Sequence, residues 1–184
     1  MNTQHLRKTL IVIAAFATLP AAASTFDYNY VEGSFMHRRN DFASDNGFRV
    51  GGSFDLAPPV ALFGEYGNTG DYGHFSAGAL FHTPINNELD LNLGASLEHA
   101  SAPHDSDTGF GLRAGVRWNV VPGQWELNPE LRYVNILHQD DISARVGALY
   151  HVNRSLDVQA AVQAGGEDRA EVGVRYSFGG YRYR

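Results

Sequence analysis

Apolar and polar residues alternate along most of the chain that follows residue 24. In residues 89–98, leucines and one alanine occupy the odd positions, while polar residues and glycine occupy the even positions. The same period of two runs through residues 48–56, 110–120 and 125–133. A period of two over about nine or more residues predicts a long β-strand with one apolar face and one polar face.

Segments of this kind predict ten antiparallel strands, at about residues 28–36, 47–57, 60–68, 73–83, 88–98, 109–120, 124–136, 141–151, 155–164 and 170–178. Most exceed the roughly five or six residues usual in soluble sheets and match the length that crosses a bilayer at a tilt. The expected fold class is therefore all-β, an antiparallel up-and-down transmembrane β-barrel with ten strands, or eight as the alternative. A soluble lipocalin-like barrel, with its apolar face turned inward around a ligand, is the competing fold.

The segments between the predicted strands alternate in length. Tight connections with Pro or Asn are expected at residues 57–59, 84–87, 121–123 and 152–154, and longer polar ones at 37–46, 68–72, 99–108, 137–140 and 165–169. Outer-membrane barrels have short periplasmic turns and longer outer loops. The sequence thus predicts turns in the periplasm and polar loops outside the cell.

Aromatic residues on the outward parity sort into two belts around an aliphatic band. The belt nearest the tight turns is predicted to contain Phe54, Phe81, Trp118, Trp125, Tyr150, Tyr176 and Phe178, together with Tyr28. The belt nearest the longer loops includes Phe35, Phe48, Tyr66, Phe75, Phe110 and Tyr133. Two aromatic girdles are typical of a barrel that meets two membrane interfaces.

The N-terminal residues have the pattern of a secretory signal peptide. Arg7 and Lys8 precede an apolar run over residues 10–19, and three alanines at 21–23 provide a cleavage site. The run is too short for a membrane-spanning helix. We expect residues 1–23 to be the signal peptide and residues 24–184 to form one barrel domain. The mature chain then carries 12 basic and 20 acidic residues, a net charge of −8 without a basic patch, which argues against nucleic-acid binding.

The inward parity carries nine acidic residues and six arginines. This predicted lumen charge network consists of Glu32, Arg49, Asp55, Glu65, Asp90, Glu98, Arg113, Arg117, Glu126, Glu130, Arg132, Arg145, Asp157, Glu171 and Arg175. Charges in a narrow lumen must pair, because an unpaired buried charge is costly. Neighbouring strands should bring Asp90 and Glu98 near Arg117 and Arg113. The network indicates either a packed polar core or a selective channel. A packed polar core is favoured, because the interior of so small a barrel is readily filled by side chains.

The sequence gives only weak indications of catalytic or metal-binding residues. His74 and Ser76 share one strand face, as in outer-membrane lipid A deacylases, but the surrounding sequence does not resemble those enzymes. The pattern Asp105-Ser106-Asp107 with His138 resembles outer-membrane proteases, whose tall extensions this chain lacks. Imidazoles and carboxylates that suit divalent metals fall in the predicted loops, at His37, His99, His104, His138, Asp41, Asp45, Asp105, Asp140 and Asp141. The pattern predicts no catalytic residue, no metal site and no cofactor, and the chain has no cysteine.

Three segments of the mature sequence, two of them near its ends, resemble known proteins. Residues 28–35 (YNYVEGSF), 172–178 (VGVRYSF) and 63–66 (FGEY) are similar to small outer-membrane barrels of the OmpA/OmpX-like superfamily. The resemblance covers most of the mature chain as a pattern of strands. It implies an outer-membrane location and recognition of Tyr176-Ser177-Phe178 by the barrel-assembly machinery, although six residues follow Phe178 here. It implies no catalytic residues.

The expected function is that of an integral outer-membrane barrel with a structural or surface-exposed, non-enzymatic role. The alternative is a narrow porin-like channel for small solutes. Expected partners are membrane lipid and lipopolysaccharide, which acidic loops could meet through bridging divalent cations, and the expected oligomeric state is a monomer.

Export is directly testable. The mature chain recovered from outer membranes should begin within about two residues of Ser24, because small residues precede that site. N-terminal sequencing of outer-membrane material checks this, and intact Met1 in that fraction would contradict it.

Overall fold

The computed structural model describes residues 26–39, 44–103, 105–136 and 139–179. The predicted signal peptide lies outside this part of the chain, as do Asp41, His104 and His138. No helix within the described residues combines the length and hydropathy of a membrane span.

Ten antiparallel strands form one closed barrel, as the alternation predicts. They are β1 Tyr30–Arg39, β2 Ser44–Ala57, β3 Val60–Thr69, β4 Tyr72–Asn86, β5 Leu89–Ala102, β6 Asp105–Val121, β7 Trp125–Ile136, β8 Gln139–His151, β9 Leu156–Ala164 and β10 Asp168–Ser177. Each strand pairs with the next in sequence. The ten-strand prediction is confirmed, and the eight-strand alternative is wrong.

The barrel closes where the first strand meets the last. The β1–β10 ladder runs from Tyr30 opposite Ser177 to Arg39 opposite Asp168. Closure removes the free edges that an open sheet would present. We call the end that holds the start of β1 and the end of β10 the lower end, and the opposite end the upper end.

The barrel wall is apolar outside and polar inside. Leu131 is 60% exposed on the outer wall, whereas the next residue, Arg132, is 9% exposed in the lumen. The same contrast separates exposed Val172 from buried Glu171. Because the apolar parity faces outward, the lipocalin-like alternative is wrong.

The upper connections are shorter than the sequence predicts. Both ends of the barrel have intervals of two to four residues between strands. The predicted loop at 99–108 is mostly strand, with His99 opposite Thr108 and Ala102 opposite Asp105. A strand that projects into water has polar residues on both faces, so it loses the alternation by which the sequence reveals a strand.

The predicted lower girdle lies on the outer wall, with one exception. Seven of its predicted members are exposed or half-buried: Phe54, Phe81, Trp118, Trp125, Tyr150, Tyr176 and Phe178. The rings of Trp125 and Tyr150 contact across β7 and β8, with centroids 5.0 Å apart. Tyr28 was expected on the same face, and this is wrong, because Tyr28 is 2% exposed inside the barrel. Tyr28 has the parity of Glu32, whose side chain faces the lumen, so the alternation of β1 extended back to residue 28 gives the inward direction.

Arginine in place of Leu93 should lower the free energy of unfolding by about 2–4 kcal/mol, because Leu93 lies near the middle of the outer wall. It faces Ala114, which is midway between Phe110 and Trp118 on β6. The measurement is a urea titration in lipid vesicles. Asn92→Arg is the control and should cost less, because Asn92 faces the lumen beside a cavity. An equal or larger cost at Asn92 would contradict the inside-outside assignment.

Candidate functional site: the charged lumen

All fifteen predicted network residues face the lumen. Their contacts form three groups: one beside the β1–β10 seam, one around Glu98 and one around Arg117. Alternation in the strands aims each side chain inward, and closure of the barrel brings distant strands within reach of one another.

The seam group joins β1, β2 and β10. Glu32 accepts from Arg175 at 2.7 Å and from Arg49 at 2.7 Å. Arg49 also reaches Glu171 at 3.0 Å, and Arg145 approaches the same carboxylate at 3.2 Å. The exposed fraction of each of these side chains is small, 2–8% for all but Arg145. Charged hydrogen bonds therefore link the first strand to the last across the seam.

Glu98 is the centre of the second group. Its side chain is fully buried and accepts from Arg132 at 2.8 Å and from His74 at 3.0 Å. The hydroxyls of Ser76 and Ser96 donate to it at 3.0 and 2.5 Å. Four donors can hold a buried carboxylate ionised and in place.

The predicted partner of Glu98 was wrong. Arg132, on β7, takes the place expected for Arg113. The intervening strand β6 has Gly111 at this level, where a Cβ atom would collide with the Glu98 carboxylate. The absence of a side chain lets Glu98 reach past β6 to β7.

Arg113 is held less tightly. Its guanidinium stacks on the Phe63 ring at 4.0 Å, and it lies 3.8 Å from Glu65 and 4.0 Å from Glu130. Glu65 instead has a close partner in Arg132, at 2.7 Å. Arg113 thus crosses the middle of the lumen without a short ion pair.

The third group lies at the lower end. Arg117 binds Glu126 through two hydrogen bonds of 2.7 and 2.9 Å. Asp90 lies opposite Arg117 in the register, as expected, and accepts from the hydroxyl of Tyr28 at 3.1 Å. The two parallel hydrogen bonds between Arg117 and Glu126 form a bidentate pair, which is the strongest geometry between arginine and a carboxylate.

Two histidine contacts and an upper cluster of charges are not among the predicted network residues. His82 lies 3.3 Å from Asp55, and His151 lies 2.7 Å from Asp157. At the upper end, Glu167 contacts Arg38 and lies 3.4 Å from Arg169. His82 and His151 stand at inward positions of the predicted strands, and Arg169 lies one residue before the predicted start of β10, so the alternation itself carries the signal for all three.

His74 and Ser76 are not arranged as a base and a nucleophile, and His138 of the protease-like pattern lies outside the described residues. His74 and Ser76 both face the lumen, but each directs its polar group to Glu98 rather than to the other. The described residues contain no group of three or more potential ligands arranged around a metal position.

Water-sized spaces remain between the ion pairs. A cavity of about 100 Å³ occupies the centre, lined by Tyr28 at its lower side and by Arg49, Arg113 and Arg132 above. A second cavity of about 100 Å³ lies towards the upper end, beside Arg132 and Tyr72. Cavities of this size and polarity hold several water molecules.

Comparison with known proteins identifies the architecture. No protein-family model matches the sequence, and neither does any curated protein. The KdgM porin superposes with a TM-score of 0.52 at 19% identity, covering 80% of this chain and 99% of that one. The chain has the fold of a small outer-membrane β-barrel protein. The NanC porin gives a TM-score of 0.51 at 8% identity, over 80% of this chain and all of that one.

A third structure with the same outer-membrane barrel fold is a channel from Pseudomonas putida F1. Its TM-score is 0.50 at 10% identity, and the match covers 86% of this chain and 98% of that chain. At these identities the likeness concerns fold alone. The lumen side chains must therefore be interpreted from their own contacts.

Removal of Arg132 should destabilise the barrel strongly. Arg132→Ala deprives buried Glu98 and Glu65 of a partner, at a cost of about 3–5 kcal/mol for a truly buried pair. Urea unfolding in lipid vesicles measures the loss. Arg39→Ala is the control, since its 3.5 Å pair with Asp168 is 71% and 56% exposed, and exposed pairs contribute about 0–1 kcal/mol. Similar losses for the two variants would show that the lumen is too wet for the network to act as a core.

Proposed function

We propose that this protein is an integral outer-membrane barrel with a structural or surface-exposed, non-enzymatic role, and that its resting lumen does not conduct ions. One observation carries the proposal. Ion pairs cross the lumen at several levels, from the Arg117–Glu126 pair at the lower end to the Glu98–Arg132 pair above. A barrel filled by its own side chains is a packed element rather than a pore.

The location follows from the signal-peptide pattern, the apolar outer wall and the fold. We place the lower end in the periplasm, because outer-membrane barrels have their longer polar segments outside the cell and the polar strand extensions, such as residues 99–108, lie at the upper end. The even number of strands then puts both chain ends in the periplasm. The upper hairpins, including exposed Asp105 and Ser106, would then face the environment and lipopolysaccharide. Hydrocarbon would surround residues such as Leu131, and the barrel-assembly machinery would insert the chain as a monomer.

An enzymatic role has little support from the geometry. A serine nucleophile requires a base within hydrogen-bond reach. The histidine nearest to Ser76 along its strand, His74, directs its Nε2 atom to Glu98, which is also the acceptor for the Ser76 hydroxyl. Both side chains therefore serve to hold the carboxylate.

A narrow channel is the second candidate. The two polar cavities and the fold shared with the KdgM and NanC porins favour it. The KdgM porin has also been solved in complex with disordered oligogalacturonate. In the present chain, carboxylates outnumber arginines in the lumen network by nine to six. This excess of negative charge disfavours passage of an acidic solute.

Recording from planar bilayers separates the two functions. The purified wild-type protein should insert and fold, yet show no stable conductance steps, because its own side chains occupy the lumen. Insertion is verified independently by protection from protease in vesicles of the same lipid. Steady steps from the wild type, with ion selectivity altered by Arg113→Ala, would establish the channel function in place of the one proposed.

A further inference from the structure

Four residues that precede the first strand fold back into the lower mouth of the barrel. Phe26, Asp27 and Tyr28 are 5%, 3% and 2% exposed, although β1 begins only at Tyr30. A segment that simply left the barrel at its rim would be in water. We call residues 26–29 the floor segment.

Polar contacts fix the path of the floor segment. Arg117 donates to the backbone carbonyl of Asp27 at 2.7 Å. The carboxylate of Asp27 accepts from the backbone N–H of Gly179 at 3.1 Å, just beyond β10. Asn29 exchanges two hydrogen bonds with Asp55, at 2.9 and 3.2 Å. The segment is thus attached to β2, to β6 and to the residues that follow β10.

Aromatic rings of the segment fill the space across the mouth. Phe26 and Tyr28 form a buried apolar cluster with Ala61 and Leu80, and Phe63 packs against it. Tyr28 also stacks on His82 with ring centroids 3.9 Å apart. This cluster is apolar in a lumen that is otherwise mostly lined by charged and polar groups.

The spaces in the lumen lie above this cluster. Tyr28 forms the lower side of the central cavity, and Arg132 and Arg169 line both that cavity and the upper one. Polar spaces large enough for water therefore follow one another from the upper end down to Tyr28. An apolar constriction can block ions by excluding water, even where the rest of a pore is wet.

We infer that the floor segment is a built-in closure of the periplasmic mouth, and that its displacement opens the lumen to small ions. The inference rests on the proposed function, because it needs an exported barrel whose mature chain begins shortly before Phe26. In this inference the floor segment provides the barrier that excludes water, and the ion pairs higher in the lumen narrow it without closing it.

The test compares conductance in planar bilayers. The double variant Phe26→Ser/Tyr28→Ser should produce stable steps that the wild type lacks. Phe54→Ser/Tyr176→Ser is the matched control, because it makes the same changes at the same end on the outer wall and should stay silent. Protease protection in vesicles confirms that each variant is folded.

Accessibility gives a second measurement that does not depend on conduction. The chain has no cysteine, so Phe26→Cys and Arg154→Cys each introduce a single thiol at the lower end. Arg154 is exposed in the β8–β9 turn. A water-soluble maleimide should label Cys at position 26 at least about tenfold more slowly than at position 154, because labelling there requires local opening.

The outcomes are distinct. A folded Phe26→Ser/Tyr28→Ser variant that shows no conductance, or equal labelling at positions 26 and 154, would contradict closure by the floor segment. Neither result would contradict the proposed non-conducting barrel. Steady conductance from the wild-type protein would instead contradict the proposed function, in which the wild-type lumen does not conduct ions.

Discussion

Pairing between β1 and β10 is the interaction on which the other features of this protein depend. An unpaired backbone N–H or C=O group in hydrocarbon costs several kcal/mol, so a strand that spans a bilayer needs a neighbour on each side. Ten strands meet this condition when the ladder from Tyr30 to Arg39 closes on β10. Closure then gives every strand an outer side and a lumen side. The alternating sequence assigns apolar residues to the first and charged residues to the second.

Charge pairing follows from that closure and in turn favours its register. Glu32 lies opposite Arg175 in the ladder, and the two side chains contact in the lumen. A shift of one residue would turn Glu32 and Arg38 to the outer wall. A shift of two would place Glu32 opposite Gly173 or Ser177, which carry no positive charge. The network therefore penalises the misaligned closures that the backbone alone would accept.

The sequence was sufficient for the architecture because a period of two is a local property. All ten strands were located within a few residues, and the fifteen network residues all face the lumen. The partners were harder to predict, because they depend on which side chains can cross the lumen. Glu98 meets Arg132 two strands away since Gly111 leaves space between them. The upper ends of the strands resemble loops in the sequence, because polar residues occupy both faces there and the alternation is lost.

The sequence contains a feature that predicts the floor segment, but it interrupts the alternation and so is not found by searching for a period of two. Residues 60–63 and 79–81 are apolar without interruption, so Ala61 and Leu80 place apolar side chains inward on strands whose outer positions are also apolar. In a barrel with a charged lumen, such positions would face water and polar groups unless another apolar group covers them. The strands opposite offer mostly charged side chains, so the cover must come from outside the ladder. Apolar residues outside the strands lie just before β1, where Phe26 and Tyr28 complete the cluster. An unbroken apolar run in an otherwise alternating barrel strand therefore predicts an internal partner.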